Sequence, residues 1–154
     1  MIVNGLQLPA FYAEFFAENR YSNWNLKERV DAYGNPLETD FMPLDTVEQM
    51  EEDTAALAKY FGLGSMSSEE MRSSTEEEGN SLGFIPYIDD FSKIAQFGRK
   101  ASGAPFCFDF RENAREPSVI HWEEYGSYWR RLAPNFDAFI SLFERYEEEE
   151  ETEE

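Results

Sequence analysis

Pro105-Phe106-Cys107-Phe108-Asp109-Phe110-Arg111 decides the reading of this chain. Its three phenylalanines alternate with Cys107, Asp109 and Arg111, the two-residue period of a strand with one buried face. Asn113 to Pro117 is a polar break, and Ser118 to Trp122 (Ser, Val, Ile, His, Trp) resumes as a second strand, so the two read as a hairpin. A third strand is expected over Ser127–Ala133, carrying Tyr128, Trp129 and Leu132. After Pro134 the period changes. Phe136, Phe139, Ile140 and Phe143 fall at i, i+3, i+4 and i+7, one apolar helical face, with Asn135 as a cap beside Pro134. The spacing predicts a helix over Asn135–Tyr146, and sheet and helix must bury their aromatic faces together.

Upstream, Leu8, Phe11, Tyr12, Phe15 and Phe16 repeat at helical spacing and predict a helix over Pro9–Asn19. Trp24–Val30 and Leu37–Met42 read as two strands joined through the turn Tyr33-Gly34-Asn35-Pro36. Thr46-Val47-Glu48-Gln49 fits a capping box. Val47, Met50, Thr54, Leu57 and Phe61 then line one face of a helix over Thr46–Phe61, stopped by Gly62. Ser65–Asn80 is rich in Ser and Glu and reads as a surface loop with one short helical turn near Glu69–Arg72. Gly83–Ile88, interrupted by Pro86, suggests an edge strand or a bulge, and Phe91–Gly103 reads as irregular and basic at Arg99 and Lys100.

The chain has 154 residues, 42% of them hydrophobic and 16% aromatic, enough for one packed core. Its fold class is α+β, a single domain over residues 1–146 with a mostly antiparallel sheet and flanking helices. Glu147–Glu154 is too charged to pack and is read as an acidic C-terminal tail, disordered or frayed from the last helix. The net charge is -19, and without the seven tail glutamates it is still -12. Such a field repels nucleic acid and anionic membrane and favours basic partners. A single cysteine excludes an internal disulfide framework. No apolar run approaches a membrane span, and Met1–Gly5 lacks a basic leader, so the expected compartment is the cytoplasm.

Catalytic chemistry has little to stand on. Cys107 and His121 are each the only residue of their kind, and a dyad needs a third orienting group and a stabilised thiolate. Cys107 therefore reads as a small buried hydrophobe. Asp89, Asp90 and Asp109 are oxygen donors without a cation-loop spacing, so they read as turn carboxylates, and no metal or cofactor is expected. Trp122-Glu123-Glu124-Tyr125 sets two aromatics around two carboxylates at a strand end, a composition suited to a protein interface. Trp129 reads as core, and Trp122 is divided between core and interface.

Three blocks then carry a resemblance: Gly83 to Asp90 (GFIPYIDD), Pro105 to Phe110 (PFCFDF) and Trp129 to Phe139 (WRRLAPNFDAF). They resemble, in order, the successive blocks of the SUKH superfamily, and the opening helix with Tyr12 and Phe15 is similar to that family's first helix. The resemblance implies an α+β domain that binds another protein and performs no catalysis. In bacteria it implies an immunity protein acting on a polymorphic toxin, often a nuclease; in yeast, a regulator of cell-wall synthesis. An immunity protein, an endogenous regulatory scaffold and a carboxylate enzyme working beside Asp89 and Asp109 are the three readings, weighed in that order. Candidate residues for a basic protein partner are Asp89, Asp90, Glu112, Glu116, Trp122, Glu123, Glu124 and Tyr125.

Overall fold

In the computed structural model, the described residues are 1–19, 22–61, 84–85, 88, 90–124 and 128–145. The main sheet is antiparallel throughout and has the spatial order β10-β3-β4-β6-β7-β8-β9-β5. Its strands are β3 (Trp24–Leu26), β4 (Asp40–Pro43), β5 (Phe84–Ile85), β6 (Ile94–Arg99), β7 (Pro105–Asp109), β8 (Ser118–Glu123), β9 (Tyr128–Ala133) and β10 (Phe143–Arg145). A separate small hairpin joins β1 (Ile2–Val3) to β2 (Leu6–Gln7). The helices among the described residues are α1 (Ala10–Asn19), α2 (Val47–Ala55), α3 (Leu57–Phe61) and α4 (Phe136–Ile140).

The β7–β8 hairpin forms as the alternation predicts, pairing Phe106 with His121 and Phe108 with Val119. The strand is not half-exposed, however. Every residue of β7 is buried, because the strand is central and both faces are covered. One face carries a large aromatic cluster: Phe106 and Phe108 meet Tyr12 and Phe16 of α1, Phe41 of β4 and Phe136 and Phe139 of α4. Tyr12 stands edge-on to Phe97, Phe108 and Phe136 at centroid distances of 5.3, 5.4 and 5.0 Å. The other face carries Cys107, Ile94, Ile120 and Trp129 under Leu57 of α3. Trp129 is core, as expected, and its indole N–H donates to the Phe61 carbonyl at 3.1 Å, tying α3 to the sheet.

Several expectations need correction. The stretch Phe91–Gly103 is not irregular; it holds β6, one of the central strands. Burial on both faces removes the alternation that would have marked it, so Ile94, Ala95, Gln96, Phe97 and Gly98 are all buried. Gln96 is satisfied internally: its N–H donates to Thr54 Oγ1 at 2.8 Å and its side-chain amide to the Gly98 carbonyl at 3.1 Å. Gly98 sits at a bulge where a Cβ would strike the Phe41 ring and lie 2.8 Å from the Met42 carbonyl oxygen.

The last helix is shorter than Asn135–Tyr146. Asn135 does cap it, its Oδ1 accepting from Ala138 N–H at 2.8 Å, but the helix ends at Ile140 and β10 follows. Phe143 is buried either way, since it pairs with Leu26 in the sheet, so its burial could not distinguish the two periods. Thr46–Phe61 is two helices broken at Ala56, and the capping box is half formed. Thr46 Oγ1 accepts from Gln49 N–H at 3.0 Å, while the Gln49 side chain donates to Asp53 instead. Trp24–Val30 and Leu37–Met42 do pair, over the shorter spans β3 and β4, with a bridge from Val30 to Pro36. The Gly83–Ile88 expectation appears as β5 at one sheet edge. The Ser65–Asn80 loop and the Glu147–Glu154 run lie outside the described residues.

Candidate functional site

Antiparallel pairing sorts the candidate residues by strand end. β6 begins and β7 finishes at one end, where Ile94 faces Asp109, and the 110–117 turn lies there too. That end holds Asp90, Glu112 and Glu116, all exposed. The other end of β8 holds Trp122, Glu123 and Glu124, next to the 100–104 turn. Ser118 to Glu123 is five strand steps, so the two groups stand roughly 17 Å apart. The structure thus brings Glu112 and Glu116 together and keeps both away from Glu124. Asp89 and Tyr125 lie outside the described residues.

The two carboxylates of the Trp122–Tyr125 motif have different fates. Glu124 is exposed, accepting from Ser102 Oγ at 3.0 Å with Lys100 Nζ at 3.8 Å. Glu123 turns inward. Its Oε2 accepts from Arg130 Nη1 at 2.8 Å and lies 3.2 Å from His121 Nε2. Burial opposes its charge, but the hydrogen bonds from His121 and Arg130 and the nearby positive charge prevail, holding its pKa at about 2. The Arg130 guanidinium continues to Asp31 Oδ2 at 2.9 Å and to the Pro36 carbonyl at 2.6 Å. Asp31 Oδ1 in turn accepts from the N–H groups of Tyr33 and Asn35. This buried relay fastens the β3–β4 connection onto β9, and Ala32 N–H donates to the Leu132 carbonyl at 3.0 Å beside it. Sequence reading missed Asp31 and Arg130, which lie 99 residues apart. Trp122 is half-buried, edge-on to Phe61 and Trp129 at 5.5 Å each, so it belongs mainly to the second aromatic cluster.

Cys107 and His121 do not form a dyad. Cys107 pairs with Ile120 and packs in the second cluster, whereas His121 stacks on Phe106 at 5.3 Å on the opposite face. Burial, with Asp109 adding to it, pushes the Cys107 thiol well above its usual range, so the thiolate is disfavoured. Burial likewise holds the His121 imidazole below 6.5 against the pull of Glu123. Asp109 is occupied by Arg111, which forks onto it at 2.9 and 2.8 Å.

A polar cleft of about 360 Å³ opens at the Glu112 end. Three segments wall it: the 110–117 turn, the start of α4 at Pro134 and Asn135, and Tyr33 from the β3–β4 connection. Asn113 Oδ1 accepts from the N–H groups of Arg115 and Glu116 at 3.0 Å each, shaping the turn. Glu116 Oε2 accepts from Asn135 Nδ2 at 2.6 Å. Arg131 also lines the cleft. Among the described residues no group of three potential metal-ligating side chains comes together, and no helix is long and apolar enough to cross a membrane.

Among known proteins, residues 4–142 match the SMI1 / KNR4 family (SUKH-1). No curated protein and no solved structure matches. Members of that family bind partner proteins and are generally non-catalytic. With the match running from the first hairpin to the end of α4 and just beyond, the chain belongs to the SMI1/KNR4 (SUKH-1) family.

Proposed function

We propose that this protein is a non-catalytic binding domain that serves in the bacterial cytoplasm as an immunity protein, neutralising a cognate toxin domain by direct contact. The observation that carries this reading is a net charge of -19 on a member of a partner-binding family. A toxin that handles phosphate needs a basic cleft, and an acidic protein reaches such a cleft by steered, fast association. Residues 1–146 would form the binding domain and Glu147–Glu154 an acidic appendage. Asp90, Glu112, Glu116 and Glu124 are exposed and suit a basic partner, with Trp122 as a half-buried anchor and Asp89 and Tyr125 adjoining in sequence. Glu123 serves the contact indirectly, since its carboxylate is engaged within the fold.

The test is co-expression with the product of the neighbouring reading frame, scoring rescue of growth, followed by association kinetics. Glu112→Lys and Glu124→Lys should slow association at low salt and matter less at high salt, because screening at 0.1 M acts over about 10 Å. If capture returns only endogenous wall-synthesis factors and no neighbour is toxic, the regulatory-scaffold reading takes the place of this one.

A further inference from the structure

We propose that the cleft between the 110–117 turn, the start of α4 and Tyr33 receives a segment of the partner protein that presents a carboxylate beside a basic side chain. This rests on the reading that the protein binds another protein, and it specifies how. The key residue is Arg131. It is half-buried, and its Nε atom is fully buried with no acceptor. Among the described residues it makes no ion pair, in a chain with 32 acidic and 13 basic residues. The acids that share the cleft are committed or face outward: Asp109 is forked by Arg111, Glu116 is held by Asn135, and Glu112 is exposed on the turn.

The Nε atom is closed off, but the terminal Nη atoms are not, and a carboxylate matches the planar guanidinium better than any other side-chain group. Glu112, with the Glu116 oxygen that Asn135 leaves free, then stands ready for a cation next to that carboxylate. Tyr33 adds a phenol hydroxyl, whose pKa partial burial raises against the pull of Arg131. The walls are set before any ligand arrives, since Asn113 and Asn135 already order the turn and the helix start.

The consequence runs against simple charge attraction. If the partner were recognised only as a basic surface, removing Arg131 would delete a repelling charge and tighten binding. If the cleft takes a carboxylate, removing Arg131 loosens it.

Two capped peptides, acetyl-Lys-Asp-amide and acetyl-Lys-Asn-amide, are titrated into the full chain while nitrogen-15 NMR follows the arginine Nε–H signals. The aspartyl peptide should shift the Arg131 signal and bind about tenfold or more tightly than the asparaginyl one. Arg131→Gln should abolish that difference and Arg131→Lys should retain part of it, with unchanged melting temperatures showing that both variants fold. Equal behaviour of the two peptides, or no Arg131 shift with either in the millimolar range, overturns the proposal. With a captured partner the two readings separate. If Glu124→Lys slows association but Arg131→Gln leaves affinity unchanged or improves it, the cleft proposal fails and the binding function stands. If no partner protein exists the function fails, and the peptide titration still decides the cleft.

Discussion

Arg130→Met tests whether the buried relay holds the β3–β4 connection to the sheet. Arg130 is 3% exposed and makes three bonds, to Asp31, Glu123 and the Pro36 carbonyl. Methionine preserves much of the apolar stem but leaves Asp31, itself 1% exposed, without a countercharge. Its Oδ1 would keep the Tyr33 and Asn35 N–H donors, while Oδ2 would lose Arg130. Removing one partner of a buried ion pair costs about 3–5 kcal/mol. Glu123 is better solvated and adds less, so a loss of about 4 kcal/mol is expected, a large part of the roughly 5–15 kcal/mol typical of a domain. At about 2–4 °C per kcal/mol for a chain of this length, Tm should fall by about 8–16 °C. Urea unfolding followed by tryptophan fluorescence gives the free energy directly. Adding Asp31→Asn to Arg130→Met should recover part of the loss, because the stranded charge is gone. Arg29→Ala is the control, for its 3.1 Å pair with Glu38 is exposed on both sides and should contribute almost nothing. A loss below about 1 kcal/mol for Arg130→Met, or a double variant no better than the single one, would refute the reasoning.

Acid should destabilise the fold in two steps. The unfolded chain protonates His121 near 6.5 while the folded chain resists, so stability falls as pH drops below that value. It falls again from 4.5 toward about 2, where Glu123 must give up a charge that the fold favours. His121→Gln, which keeps a donor for Glu123, should remove the upper step in stability measured against pH. Gly98→Ala should cost about 1–3 kcal/mol in urea unfolding, since its methyl group meets the Phe41 ring and the Met42 carbonyl in a packed strand. Deleting Glu147–Glu154 should leave Tm unchanged or slightly higher, because it removes seven negative charges and no apolar surface; a drop of several degrees would count against that.

The sequence by itself determined the local elements. Alternating phenylalanines marked β7, and Pro134-Asn135 with Phe136 and Phe139 marked the start of α4. The turn residues between Asp31 and Pro36 marked the β3–β4 connection. These signals are short-range: a period, a cap or a turn is written within ten residues. Tertiary structure alone decided what long-range packing sets. β6 was invisible because a strand covered on both faces has no alternation, and β10 because Phe143 is buried by a helical or an extended chain alike. The candidate site divides the same way. Glu112, Glu116 and Glu124 were legible as acidic turn residues, but pairing set them at opposite ends of β8. Glu123 looked equivalent to Glu124 until Arg130 and His121 drew it inward. Arg131 carried no signal of its own in the sequence. Only the meeting of three distant segments makes it a half-buried guanidinium lining a cleft, because no local pattern records which groups the fold leaves unpaired.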